Sequence, residues 1–103
     1  MKRWLMEILI CPAKECRSEL NLEVYKSHEI ELEDNQVEEI DEALLTCPKC
    51  TRWYPVIEGI ACMLPDNLRM TGKQHIEEVK FLERWKERID SPILENGTPF
   101  GLS

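Results

Sequence analysis

Four cysteines in two closely spaced pairs constrain this chain more than any other feature. Cys11-Pro-Ala-Lys-Glu-Cys16 leaves four residues between thiols, and Cys47-Pro-Lys-Cys50 leaves two. Each spacing lets one tight turn aim both sulfurs at one point, and two such turns supply a tetrahedral set of four, the donor set of a structural zinc ion. A site closed by four protein ligands has no position for water and catalyses nothing. A four-thiolate iron site is chemically possible on the same residues. Cys47-Pro-Lys-Cys50 alone resembles a redox dithiol, but no long helix follows it and the first pair is then left without a role. The fifth cysteine, Cys62, reads as a small apolar strand residue.

With 103 residues, the chain has room for one domain or for one domain and an added helix. A core of that size gains proportionally little from burial. Structural zinc offsets this, since its binding free energy of roughly 10–16 kcal/mol becomes folding free energy. No export signal or span-length apolar stretch is seen, so a cytoplasmic, reducing location is expected, where paired cysteines more often mean metal or catalysis than disulfides.

Thirteen basic residues face 20 acidic ones, a net charge of −7. Glu29, Glu31, Glu33, Asp34, Glu38, Glu39, Asp41 and Glu42 share one stretch free of Lys and Arg. Direct phosphate binding needs clustered cations, so nucleic acid is disfavoured as a direct partner. The run is expected to be a solvated face. Lys14, Arg17, Lys49 and Arg52 lie near the thiols and are placed to offset a zinc–thiolate centre of net −2.

Leu5, Ile8 and Leu9 recur at helical spacing, giving a short helix that stops before Pro12. Leu20, Leu22 and Val24 alternate with polar residues as in a half-buried strand. Ile30 and Leu32 resume the alternation after Lys26-Ser27-His28, which suggests an antiparallel pair. Val37, Ile40 and Leu44 predict a short turn of helix followed by a strand. Residues 52–57 and 60–65 flank Glu58-Gly59 as a hairpin. Pro55 lacks an amide donor, which places that strand at an edge or makes it locally irregular. Phe81, Leu82, Trp85 and Ile89 form the stripe of an amphipathic helix reaching Asp90. The fold class expected is α+β: a small zinc-ribbon-like domain with a short antiparallel sheet, a short N-terminal helix and a C-terminal amphipathic helix. The divisions are a ribbon over 1–68 with an insertion at 17–46, a helix over 71–90, and an irregular tail over 91–103.

The Met-Lys start leading to Cys11-Pro12, then Leu45-Thr46-Cys47-Pro48-Lys49-Cys50, Tyr54-Pro55-Val56-Ile57 and Gly59-Ile60-Ala61-Cys62-Met63-Leu64-Pro65 together carry a resemblance. They resemble the small zinc-binding activator subunit of tRNA, rRNA and release-factor methyltransferases of archaea and eukaryotes. The likeness covers residues 1–25 and 43–65. It implies a non-catalytic partner of S-adenosylmethionine-dependent methyltransferases of the Rossmann-like class, joined to them as a heterodimer. S-adenosylmethionine enters only through that partner, and tRNA, rRNA or release factor are met only indirectly. By position Cys11, Cys16, Cys47 and Cys50 match the family's zinc ligands. Ala61 stands where the family commonly has Pro. The insertion is short compared with that of eukaryotic members, which favours an archaeal form.

The stretch Trp53 to Leu64 is more apolar than a ribbon this small buries on one side, so a partner strand is expected along its edge. Leu5, Trp53, Val56, Ile57, Ile60, Met63 and Leu64 are the expected partner-facing residues. The alternative is a stand-alone zinc ribbon that binds nucleic acid or protein.

Overall fold

The computed structural model describes residues 1–7, 9–12 and 16–102. Ile8 of the N-terminal stripe, Lys14 beside the first thiols and Ser103 of the tail lie outside the described residues. The chain forms a four-stranded antiparallel sheet in sequence order, β1(Asn21–Leu32), β2(Asn35–Thr46), β3(Trp53–Ile57) and β4(Ile60–Ala61). A 3₁₀ turn at Arg3–Glu7 precedes the sheet; α1(Asp66–Arg69), α2(Gly72–Trp85) and α3(Ser91–Asn96) follow it. This is the α+β, ribbon-like class expected, with helices gathered after the strands.

The insertion differs from its expected form. It is one long hairpin and contains no turn of helix. β1 runs unbroken through Lys26-Ser27-His28 and pairs with β2 from Asn21↔Thr46 to Leu32↔Asn35. Register shifts around Lys26 leave Tyr25 as a bulge, an extra residue that twists the strand and re-aims its side chain. By ordinary strand alternation Leu22 and Val24 pack on one face of the sheet and Tyr25 on the other. The hairpin turns at Glu33-Asp34, both at positive φ (47° and 68°). Two left-handed residues are what a two-residue turn needs to match strand twist, and Asp tolerates that region well.

Both faces of the sheet are covered. Ala43, Leu45, Tyr54 and Val56 face Met1, Leu20 and the cysteine turns. Leu44 and Trp53 face Phe81, Leu82 and Ile89, with Trp85, Leu94, Phe100 and Leu102 packed around them. This explains why Ala43-Leu44-Leu45 and Trp53-Tyr54-Pro55-Val56 read as unbroken apolar runs: strands buried on both faces lose their alternation.

The apolar surplus of β3 is thus hidden within the chain, Trp53 by the C-terminal helices and Tyr54 and Val56 by the N-terminus and the cysteine turns. β3 is also not the edge strand, since β2 and β4 flank it. Pro55 faces the side on which β4 has ended, where its carbonyl still accepts the Cys62 amide at 2.9 Å. The missing donor sits where the ladder is already irregular.

The amphipathic helix ends at Trp85, earlier than Asp90. Ile89 is nevertheless buried, carried inward by a turn in which the Arg88 and Ile89 amides both bond the Trp85 carbonyl. The tail is not wholly irregular. Pro92 sits in the first turn of α3, where its missing amide costs nothing. Thr98 then lies beside β3, with the Trp53 amide bonded to its carbonyl at 3.2 Å, and the Trp53 indole donates to the Phe100 carbonyl at 2.8 Å.

The acidic run is only partly a solvated face. Glu29, Glu31, Glu33 and Asp34 are exposed at the hairpin tip. Glu38 pairs with Arg3, Glu39 with Lys2 and the Met1 ammonium, Asp41 with His28, and Glu42 with Arg84. The N-terminal residue also adds to β2, with the Ile40 amide bonded to the Met1 carbonyl at 2.7 Å.

Candidate metal centre

The two cysteine turns are built alike. In the first, the Cys11 amide donates to the Ser18 carbonyl at 2.8 Å; in the second, the Cys47 amide donates to the Arg52 carbonyl at 2.9 Å. Each bond joins the first cysteine to the residue two beyond the second. The residue directly after the second cysteine is left-handed in both, Arg17 at φ 53° and Thr51 at φ 64°. Such strain in non-glycine residues is kept only where the surroundings demand it. The turn at Cys47 is tightened further by the Thr51 amide on the Cys47 carbonyl (3.0 Å) and the Cys50 amide on the Cys47 sulfur (3.4 Å).

These turns bring Cys11, Cys16, Cys47 and Cys50 together, with all four sulfurs within 4.8 Å of one another. Cys11 and Cys50 are 3.5 Å apart, and Cys16 and Cys47 are 3.4 Å apart. A disulfide needs about 2.05 Å, and none of the four is in one. Sulfurs placed about 2.3 Å from a shared tetrahedral ion lie about 3.8 Å from each other. Those two separations fall slightly short of that value and none among the four sulfurs exceeds 4.8 Å, so the set fits one zinc ion. Cys11 and Cys47 are buried and Cys16 and Cys50 half-buried, which shields the centre on its core side. Cys62 lies outside the group, its thiol 3.7 Å from the Ile60 carbonyl. His28 bonds Asp41 and His75 bonds the Arg69 carbonyl, so neither faces the thiols.

The surroundings favour thiolate at Cys50 and oppose it at Cys16. Burial pushes the Cys50 thiol up, but the Arg52 backbone and guanidinium outweigh it and bring the group down to about 6. Cys16 accepts from the Ser18 amide, yet burial and hydrogen bonds from the other three thiols raise it to about 11. Four adjacent thiols release protons one after another, each loss making the next harder. A bound cation removes that conflict. Burial and the nearby Cys11 thiol push the Tyr54 phenol above its ordinary value, so it stays protonated and can donate to the Cys11 sulfur 3.4 Å away. Among the described residues, Arg52 is the expected cation whose charge acts on a thiol; Arg17 and Lys49 are exposed. Cysteine spacing gives no signal of the tyrosine contact, although Tyr54 lies in the Tyr54-Pro55-Val56-Ile57 segment.

Of the expected partner-facing residues, Trp53 and Val56 are fully buried inside the chain and cannot present a surface in this fold. Leu5, Ile57, Met63 and Leu64 are half-buried. Ile60 is 66 % exposed on the edge strand β4. Trp4 and Ile10, both exposed, add apolar surface that the pattern of the sequence did not single out.

A search of curated proteins finds no match. A scan of protein families aligns residues 2–59 with the Trm112p-like protein family. That span contains all four clustered thiols and more than half of the 103 residues. The chain belongs to the Trm112p-like protein family.

Proposed function

We propose that this chain is a non-catalytic zinc subunit that binds, stabilises and activates S-adenosylmethionine-dependent methyltransferases acting on tRNA, rRNA or translation release factor. The observation that carries this reading is the family match over residues 2–59. Four protein thiolates around one ion leave no coordination site for a substrate, which argues for a supporting role. The partner is a Rossmann-like methyltransferase joined as a heterodimer in the cytoplasm. It brings the cofactor and the RNA or protein substrate, since the acidic charge of this chain disfavours direct phosphate contact.

The surface best suited to the partner is the free side of β4. Ile60 projects from it, Ile57, Met63 and Leu64 lie around it, and Leu5 belongs to the N-terminal turn. A groove of about 570 Å³ lies beside the strand, lined by Ile57, Ile60 and Cys62 and by Lys73, Gln74 and Glu77 of α2. An added strand would satisfy the open backbone groups while its side chains enter the groove. Trp53 and Val56 support this surface from inside.

The test is to mix the zinc-loaded chain with each candidate methyltransferase of its host and measure solubility, cofactor affinity and methyl transfer to tRNA, rRNA and release factor. A gain with one or more candidates is expected. No gain with any of them would sink the activator reading.

A further inference from the structure

Arg52 stands between the metal centre and the C-terminal helices. Its carbonyl closes the second cysteine turn by accepting the Cys47 amide. Its guanidinium grips Asp66 with both ends: Nε donates to Oδ1 at 3.0 Å and to Oδ2 at 3.1 Å, and Nη2 donates to Oδ2 at 2.7 Å. The same guanidinium lies close enough to the Cys50 thiol for its charge to favour the thiolate. Asp66 opens α1, and Arg69 closes it. Arg69 is locked to Glu78 of α2 at 2.7 Å and lies over the rings of Trp53 (4.6 Å) and Tyr54 (5.0 Å). Tyr54 leads back to the Cys11 sulfur. The helices are therefore tied to the thiol cluster at two points, through Cys50–Arg52–Asp66 and through Cys11–Tyr54–Arg69.

We infer that Arg52 is a positioning residue that links the metal-bound Cys50 thiolate to α1 through Asp66, so that retention of the metal and seating of the C-terminal helices depend on each other. Four thiolates on one divalent ion carry net negative charge, which a guanidinium beside Cys50 compensates. A partner that bonds a metal ligand from outside fixes its orientation, and its loss typically weakens metal binding. The planar fork lets one side chain serve sulfur and carboxylate together, which a lysine ammonium does less well. Linkage then acts in both directions: whatever factor the metal contributes to seating α1, seating α1 returns to metal affinity. The inference rests on the four-thiol metal site and is independent of any methyltransferase.

The experiment follows zinc transfer from the loaded full-length chain to an excess of chromogenic chelator, together with amide exchange across residues 66–85. Asp66→Asn, which leaves every thiol neighbour in place, should release zinc about tenfold faster and lose protection at 66–69. Arg52→Gln should behave alike, the double variant should be no faster than either single one, and Arg52→Lys should fall between. Glu83→Gln, an exposed change on α2, should leave the rate unchanged. Wild-type release from Asp66→Asn, or additive rates in the double variant, would overturn the inference, as would a wild-type chain that holds no metal. If Arg52→Gln does not fold, Asp66→Asn and Arg52→Lys decide the matter alone.

Discussion

The Arg69 guanidinium sits 2.7 Å from the Glu78 carboxylate, and neither side chain is exposed to solvent. Gln74 donates to the other carboxylate oxygen at 2.6 Å, while both terminal nitrogens of Arg69 lack a hydrogen-bond partner and rest among aromatic rings. Stacking repays part of their desolvation. Such a pair is costly to break singly, because one uncompensated charge stays buried, and much cheaper to replace whole.

Glu78→Ala should therefore destabilise the chain by about 3–5 kcal/mol. Arg69→Met combined with Glu78→Leu should recover most of that loss. Urea unfolding of the zinc-loaded proteins measures both. A Glu78→Ala variant as stable as the wild type would show that the pair contributes nothing to the fold.

Removal of metal should unfold the ribbon, because thiolate ligation and folding form one equilibrium. Cys11→Ser, Cys47→Ser or a strong chelator should abolish the near-ultraviolet signal of Tyr54, which packs against the thiol turns, and of Trp53, which lies on the other face of the same strand. The loaded chain should hold about one zinc per four ligating thiols. Cys62→Ala, outside the cluster, should keep its metal and most of its stability. Loss of zinc from Cys62→Ala alone would mean that a different set of four binds the ion.

Glu39 supplies a pH dependence with a defined sign. Lys2 and the Met1 ammonium bond its carboxylate and hold it down at about 2, against an ordinary 4.5. A depressed carboxyl contributes stability that is fully present above the ordinary value and is lost as pH falls through the folded one. The difference in stability between wild type and Glu39→Gln should thus be constant from about pH 5 to about pH 7 and shrink on acidification from 4.5 towards 2. Zinc loss in acid affects both proteins and cancels in the difference. A difference that does not change with pH would remove Glu39 as the source.

How much of this was readable beforehand depended on whether a signal was local. The cysteine turns were legible because spacing alone aims the sulfurs, and the hairpin was legible from Glu58-Gly59. The turn at Glu33-Asp34 was not, because its left-handed residues carry no glycine. Val37, Ile40 and Leu44 matched a helical period by coincidence. The strand that contains them buries Ala43, Leu44 and Leu45 in succession, which erases alternation. Arg69 and Glu78 lie on different helices, and no sequence spacing announces their contact. Trp53 and Val56 read as partner-facing because their cover, α2 and the tail over Trp53 and Met1 with the cysteine turns over Val56, is a tertiary fact.

That same distinction separates two substitutions in one hairpin. Val56 on β3 is fully buried between β2 and β4, whereas Ile60 on β4 is 66 % exposed. Val56→Asp puts an unpaired charge in the core and should cost on the order of 4 kcal/mol or more. Ile60→Asp stays in water in the free chain and should change stability by no more than about 0.5 kcal/mol. If the edge of β4 is the core of a partner interface, the order reverses in the complex. The introduced carboxylate would then be desolvated without a counter-charge, and co-purification of a methyltransferase should be lost although zinc content and melting are intact. Glu31→Lys at the far tip of the β1–β2 hairpin serves as the control for a general charge effect. An Ile60→Asp chain that keeps its partner at wild-type affinity would move the interface away from β4, towards the exposed Trp4 and Ile10.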